Sequence, residues 1–191
     1  HGRDRRQRQM CIRDRAKKTA ESYVVGDPAD ESTQLGPLAN RIQFEKVMSI
    51  LEDAEVQGVK PILGGRQPVG NCDSGYYIQP TIFAGLSRDH TLAKEEIFGP
   101  VLVVIPYKNL EEAIDIANGT QYGLSSYIYA KDENTAENIS KQMKSGMVHI
   151  NGASLVAEAP FGGYKQSGNG REWGRYGLHE FLEVKAVMKA S

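Results

Sequence analysis

The chain has few cysteines, no long apolar segment and almost no net charge. Its 191 residues include two cysteines, Cys11 and Cys72, and the formal net charge is −1. Two cysteines are too few for a disulfide framework in a chain of this size. No run approaches the roughly 18 apolar residues that cross a bilayer. Neither charge sign is in enough excess to attract nucleic acid or an acidic membrane.

These absences favour a globular protein of the reducing cytoplasm. With 40% hydrophobic and 25% charged residues, the chain is long enough for one ordinary core or for a large part of a bigger one. No secretory signal is recognisable. We therefore expect a soluble, cytoplasmic protein with neither a membrane nor a nucleic-acid partner.

Residues 1–15 differ in composition from everything that follows. Arginines crowd this segment without apolar periodicity, which predicts a flexible basic arm. One interpretation is a nucleic-acid tail. A better one comes from residues 10–14 (MCIRD), which resemble the translated product of a transposon adapter used in preparing sequencing libraries. We hypothesise that residues 1–15 are not native and that a longer gene was cut just upstream of Ala16.

From Ala16 onward, helical and strand patterns alternate as in a layered α/β protein. Residues 16–23 have the pattern of the last turns of a helix. The clearest helix is predicted at residues 40–57, capped by Asn40 and ended by Gly58. Short extended segments are predicted at residues 60–63 and 76–83. The apolar face predicted for the clearest helix consists of Ile42, Val47, Ile50, Leu51 and Ala54.

The pattern continues in the second half of the chain. The apolar run at residues 101–107 predicts a strand buried on both faces. Asn109 and Glu112 have the spacing of a capping box, which opens a helix that stops at residues 118–119. Strand–helix–strand connections of this length impose a parallel sheet. The remaining predicted elements are a strand at 124–130, a helix at 134–144 and a strand at 147–151.

The end of the chain reads as an isolated strand. Apolar and polar residues alternate over residues 182–188, and no further segment follows to pair with them. An unpaired strand is a liability unless something covers it. Pairing within the same chain is one way to cover it.

Two loops carry the most distinctive residues, at 95–100 (EEIFGP) and 159–168 (APFGGYKQSG). Each places charged or aromatic side chains beside the glycines and prolines that form sharp turns. Together they resemble the C-terminal half of the aldehyde dehydrogenase superfamily, over residues 16–191. The resemblance implies the C-terminal part of that α/β fold. A partial catalytic domain would occupy residues 16–177, and an oligomerisation strand at residues 178–191 would make the full-length protein a homo-oligomer.

The resemblance also implies a reaction and its cofactor. In this family a cysteine thiolate attacks an aldehyde, hydride passes to the nicotinamide of NAD or NADP, and the thioester is hydrolysed. By resemblance, Glu96 hydrogen-bonds the hydroxyls of the nicotinamide ribose and Phe98 lies against the nicotinamide ring. Gln43 and Lys46, three residues apart on one helix, match positions near the adenosine half. Alternatively, Glu96, Gln43 and Lys46 are ordinary polar side chains in contact with solvent.

One aromatic residue and one loop are expected at the pocket that binds the aldehyde. By resemblance, Phe161 borders the aldehyde pocket, and residues 152–159 shape its entrance. The apolar stretch of that loop suits a hydrophobic or medium-sized aldehyde better than a charged one. The alternative for Phe161 is ordinary core packing. Semialdehyde substrates, and transfer to coenzyme A in place of hydrolysis, remain open.

Cys11 is not expected to be the nucleophile, although Gln9 and Cys11 imitate the family's Gln-x-Cys. Cys11 precedes Gly26 by fifteen positions, whereas the intervening strand, helix and loops of the family need roughly 20 residues or more. The catalytic cysteine and the general base would lie outside this chain, which alone should not catalyse. The histidines are widely separated, so no metal site is predicted. An alternative function is a non-catalytic module that associates with full-length subunits.

Overall fold

The computed structural model describes residues 2–70, 72 and 74–190, with the backbone alone for residues 2–9. The chain divides into two units, His1–Pro106 and Tyr107–Ser191. The first unit contains α1 (Gly2–Glu21), α2 (Arg41–Val56), β1 (Thr81–Ala84), α3 (Thr91–Lys94) and β2 (Val101–Val104). The second contains α4 (Leu110–Asn118), β3 (Ser125–Ile128), α5 (Glu133–Ser140), β4 (Met147–Ile150), a 3₁₀ turn (Lys165–Ser167) and α6 (Gly174–His179).

Helix α1 includes residues 2–15, for which the sequence composition predicts a flexible basic arm. The helix predicted to end near Tyr23 ends at Glu21, and it extends back without a break to Gly2. Arginine, glutamine, lysine and methionine are all favourable in helices, and no glycine or proline interrupts residues 3–25. Residues 2–15 have no apolar face, but they can extend a helix whose last turns are held by contacts with β1.

Helix α2 matches its prediction closely and organises the core of the first unit. The Asn40 side chain accepts a hydrogen bond from the Gln43 backbone N–H, and the left-handed Gly58 follows the helix end. Val47, Leu51 and Ala54 are at most 1% exposed. They pack with Ile78, Phe83, Leu92 and Ile97 as one hydrophobic cluster.

Ile42 does not belong to that buried face, because it is 80% exposed. The helical repeat rotates it about 140° away from Val47. The prediction is wrong for this residue alone. Ile50 packs at the edge of the cluster, as expected from its position beside Val47.

Strands β1 and β2 form a parallel pair in which Thr81 lies opposite Val101. Phe83, Val101 and Val103 belong to the cluster against α2. The prediction that the 101–107 strand is buried on both faces is wrong here, because Leu102 is 48% exposed. The last turns of α1, together with Leu35, line the groove on that side. The strand predicted at residues 60–63 is reduced to an antiparallel bridge to Ile82.

Of the two predicted parallel strand–helix–strand arrangements, the second unit contains the one from residues 124–130 to 147–151, whereas the strand predicted at residues 101–107 pairs with β1. Strand β3 pairs in parallel with β4, and α5 connects them. Asn109 caps α4 as expected, its side chain accepting from the Glu112 N–H at 2.9 Å. Glu112 reaches back to the Lys108 N–H and not to that of Asn109. Helix α5 ends at Ser140 and not at residue 144 as predicted, and residues 141–142 continue as a turn.

The predicted terminal strand is not formed. Among residues 182–190, the part of this segment that the structure describes, no residue joins a strand pair. Val184 is 93% exposed and Met188 84%. A strand needs a hydrogen-bonded neighbouring strand to be stable. The described residues of this segment do not have one within the chain. No helix in the described part of the chain is long and apolar enough to cross a membrane.

The cap of α4 provides a direct test of the second unit. Replacing Asn109 with alanine (Asn109→Ala) removes the acceptor of the Glu112 N–H. We expect the free energy of unfolding to fall by about 1 kcal/mol, measured by urea denaturation. Asn138→Ala, the same change at an exposed position inside α5, should leave stability unchanged or raise it slightly. Equal losses in the two variants would contradict the assignment of the cap.

Candidate functional site

The turn at residues 95–100 joins α3 to β2 and presents two side chains outward. Glu95 closes α3 with its backbone N–H, and Ile97 is only 7% exposed within the hydrophobic cluster. Glu96 is exposed, and the Phe98 ring is 73% exposed. Because the Ile97 side chain is buried in the core, the Glu96 carboxylate and the Phe98 ring, on either side of it in the sequence, face away from the core.

Phe98 has an unfavourable backbone conformation. Its φ of 57° lies in the left-handed region, where a residue with a Cβ is strained by roughly 1–3 kcal/mol. Such strain persists only where surrounding contacts determine the conformation. The next residue, Gly99, is packed closely against α2: a Cβ built on it would lie 3.0 Å from a methyl of Val47. Pro100 then accepts a hydrogen bond from the Thr81 N–H at 2.8 Å.

Gln43 and Lys46 hold the backbone of the same turn. The Gln43 Nε2 donates to the carbonyl oxygens of Ile97 at 2.8 Å and Phe98 at 3.0 Å. The Lys46 Nζ donates to the carbonyl of Glu96 at 3.0 Å. The structure therefore brings together all four side chains that the sequence predicts at the cofactor, on α2 and the turn that crosses its first half.

The glycine-rich loop of the second unit is held by close backbone contacts. The Gly123 carbonyl accepts from the backbone N–H groups of Gly146 and Tyr164, each at 2.9 Å. Its own N–H donates to Ser167 Oγ at 3.0 Å. A Cβ on Gly146 would lie 1.8 Å from the carbonyl oxygen of Gly162. Only glycine allows this approach, so the loop is a packed structure at the start of β3 and β4.

Lys165 gives the loop a second attachment. Its Nζ donates to the carbonyl oxygens of Asn118 at 2.9 Å and Thr120 at 3.0 Å. These carbonyls lie at and just beyond the C-terminal end of α4, where the helix macrodipole favours a cation. The lysine of the FGGYK sequence therefore has a structural role in the described chain.

Phe161 lies at the base of an exposed loop. Its backbone forms an antiparallel bridge with Glu172, and its ring centroid is 4.9 Å from that of Trp173. In the preceding loop, Leu155 and Val156 are both more than half exposed. The sequence reasoning did not single out Trp173. Its signal is visible, however, as the chain's one tryptophan followed directly by a glycine.

The described residues contain no group of three or more histidine, cysteine, aspartate or glutamate side chains that could hold a metal ion. Cys11 is exposed on α1, and Cys72 is a second free thiol. Neither cysteine is part of the turn at residues 95–100 or of the loop at residues 159–168.

Comparison with known proteins identifies the family. The model of the aldehyde dehydrogenase family matches residues 6–187. The chain belongs to this family. It is 50% identical over 173 residues to a 3-succinoylsemialdehyde-pyridine dehydrogenase of a Pseudomonas species, covering 91% of this chain and 36% of that protein.

Solved structures agree with the fold. An aldehyde dehydrogenase C mutant (C291A) from Pseudomonas syringae, in complex with NAD⁺ and octanal, superposes with a TM-score of 0.91 at 42% identity, covering 95% of this chain and 38% of that one. A Mycobacterium tuberculosis aldehyde dehydrogenase complexed with NAD⁺ gives 0.87 at 39% identity, covering 92% and 36%. The α/β fold expected for the C-terminal part of an aldehyde dehydrogenase is confirmed. The chain spans just over a third of the length of these relatives.

The contact between Gly146 and Gly162 can be tested by adding one methyl group. Gly146→Ala places that methyl against a backbone oxygen, and we expect a loss of at least about 2 kcal/mol in unfolding free energy. Gly170→Ala is the matched control, because nothing lies within 4 Å of its Cβ position. Urea denaturation of both variants measures the difference. A Gly146→Ala variant as stable as the control would show that the loop does not pack as described.

Proposed function

We propose that this chain is the C-terminal part of an NAD(P)-dependent aldehyde dehydrogenase that oxidises an aldehyde to a carboxylic acid through a cysteine thioester. The nucleophilic cysteine lies outside the chain. The observation that carries the proposal is the strained turn at residues 95–100, which is anchored to the core and exposes Glu96 and Phe98 side by side. A turn with a purely structural role would not need an exposed aromatic ring at a left-handed position.

The exposed pair suits a ribose and a flat aromatic ring. Among the described residues, the Glu96 carboxylate accepts no hydrogen bond, so both of its oxygens are available to two vicinal hydroxyls. Phe98 offers a ring face on which a second ring can stack. The nicotinamide, when bound, supplies the hydride acceptor. Glu96 orients its ribose, and Phe98 limits the positions that the ring can take.

The second unit supplies the rim of the aldehyde pocket. Phe161 is fixed by its backbone bridge and by Trp173, and it is left half-buried. Leu155 and Val156 place apolar surface in the adjoining loop. These side chains favour a hydrophobic or medium-sized aldehyde. The octanal bound to the Pseudomonas syringae relative supports this substrate class.

The remaining properties follow from the same assignment. Cys11 is too close in sequence to Gly26 to be the nucleophile, so the chain alone should be inactive. The exposed apolar residues of the C-terminal segment, Val184, Val187 and Met188, would be covered by another subunit, which makes the complete protein a homo-oligomer. Two free cysteines suit a reducing cytoplasm. The hypothesis that residues 1–15 are not native stays a prediction, which resequencing of the gene would test.

The same exposed segment favours a second candidate function, a non-catalytic module that binds full-length subunits. The two functions differ in what the natural gene encodes. A reading frame extending upstream into a Gly-Gln-x-Cys sequence and a dinucleotide-binding region supports the enzyme. A start codon close to residue 1 supports the module.

Glu96 provides the functional test in the complete enzyme that carries this segment. Glu96→Gln keeps the shape of the side chain but removes its charge. We expect kcat/KM for NAD⁺ to fall by roughly tenfold or more, because hydrogen bonds to an ionised acceptor are the stronger ones. Glu95→Gln is the control, since Glu95 is exposed and takes part only through its backbone.

Reduction of NAD⁺ or NADP⁺ by an added aldehyde is the measurement. A wild-type enzyme without this activity would overturn the proposal. Equal effects of the Glu96 and Glu95 changes would overturn the assigned role of Glu96. Comparing short-chain, medium-chain and charged aldehydes in the same assay tests the substrate class.

A further inference from the structure

We infer that His149 is a positioning residue that determines which aldehydes the enzyme accepts. It does so by holding residues 152–159, the entrance loop, through the carbonyl group of Ala153. His149 lies on β4, one residue before that strand ends. The inference rests on the proposed function, in which the entrance loop borders the aldehyde pocket.

The His149 ring is fixed on the sheet and bonded to the loop. The side chain is buried, with 7% of the residue exposed. Its Nδ1 lies 2.8 Å from the carbonyl oxygen of Ala153. A carbonyl oxygen can only accept, so Nδ1 carries the proton of this hydrogen bond. The ring also stacks on that of Tyr127 in β3, with the centroids 4.7 Å apart and the planes inclined by 13°.

The second ring nitrogen shows what a histidine contributes at this position. Nε2 of His149 is buried and has no hydrogen-bond partner among the described residues. A buried polar atom without a partner lowers stability. Phenylalanine would keep the stack on Tyr127 without this cost. The contribution that phenylalanine cannot make is the donor for the Ala153 carbonyl.

A tight turn brings Ala153 back to the ring. Asn151 and Gly152 have φ values of 50° and 84°, and Asn-Gly is the favoured pair where two successive residues have positive φ. The Ala153 N–H closes the turn by donating to the Ile150 carbonyl at 3.1 Å. The Asn151 side chain accepts from the Ala130 N–H at 2.9 Å. Both backbone polar groups of Ala153 are therefore bonded, and the apolar part of the loop starts from a fixed residue.

The other end of the entrance loop is held independently of His149. The Gly174 N–H donates to the Ala157 carbonyl at 3.1 Å. A Cβ on Gly174 would lie 2.3 Å from a backbone oxygen of the loop. Between the two attachments, Leu155 and Val156 are each more than half exposed. Loss of the imidazole bond therefore frees one end of this apolar segment while the other end stays in place.

Release of that end should change substrate selection more than turnover. In the proposed enzyme, Leu155 and Val156 contact the hydrocarbon chain of the aldehyde and not its reacting carbonyl group. A loosened loop binds a long chain less well, which raises KM without lowering kcat. Acetaldehyde is too short to reach the loop, so its KM should not change.

The test uses the complete enzyme that carries this segment and straight-chain aldehydes from acetaldehyde to octanal. His149→Phe keeps the ring stack but has no donor. We expect it to raise the KM of octanal by about fivefold and to change that of acetaldehyde, and kcat for both, by less than about twofold. His149→Asn lacks the ring but has an amide nitrogen in the place of Nδ1, so it should restore most of the KM for octanal. His179→Phe, the same change at an exposed histidine, is the matched control.

Hydrogen–deuterium exchange gives a readout that does not depend on substrate. In His149→Phe, we expect backbone exchange at residues 153–156 to be several-fold faster than in wild type, because local opening controls exchange. Exchange in β3 should be unchanged, since the ring stack is kept. Thermal unfolding of each variant separates this local effect from global destabilisation. His149→Leu, which is smaller and also lacks a donor, is the second variant if His149→Phe does not fold.

The outcomes separate the inference from the proposed function. An equal rise in KM at every chain length, or unchanged exchange at residues 153–156, would overturn the positioning role and leave the enzyme assignment intact. The same holds if His149→Asn behaves like His149→Phe, because the ring and not the donor would then matter. A wild-type enzyme that oxidises no aldehyde would overturn the proposed function. In that case the exchange rates alone decide whether His149 holds the loop.

Discussion

The packing of α2 against the β1–β2 pair is the interaction on which the first unit depends. Val47 and Leu51 are buried almost completely, and burial of each such side chain contributes roughly 1.5–3 kcal/mol. The same helix holds the turn at residues 95–100 through Gln43 and Lys46. The same helix therefore contributes to the core and to the candidate cofactor site, and disorder at its start would affect both.

The second unit is held together by different contacts. Its strand pair is short, and no residue of α4 is buried. Order comes from backbone groups that approach too closely for any side chain, as at Gly146 and Gly162, and from hydrogen bonds that converge on Gly123. A loop built in this way can carry a fixed aromatic residue such as Phe161 without a large hydrophobic core beneath it.

Apolar surface that remains exposed has a consistent interpretation in a chain that spans about a third of its relatives. Leu102 on β2 and Val184 near the C-terminus both have the sequence pattern of buried strand residues, yet neither is covered. The apolar pattern around each residue is the one expected if that residue were buried in a complete protein. In the proposed enzyme, other segments and a neighbouring subunit would cover these residues.

Local patterns were sufficient to predict α2 with its Asn40 cap, the cap of α4 at Asn109, and the parallel strand–helix–strand order, because capping and periodicity act between residues close in sequence. The motifs at residues 95–100 and 159–168 were also sufficient to indicate the family. Local patterns could not show that Ile42 is exposed, that residues 2–15 continue α1, or that residues 182–190 join no strand pair of this chain. The hydrogen bonds from Gln43 to Ile97 and Phe98 join residues more than fifty positions apart. Such contacts are decided only when the tertiary structure brings a helix and a turn together, because no local pattern encodes which distant carbonyl a donor will meet.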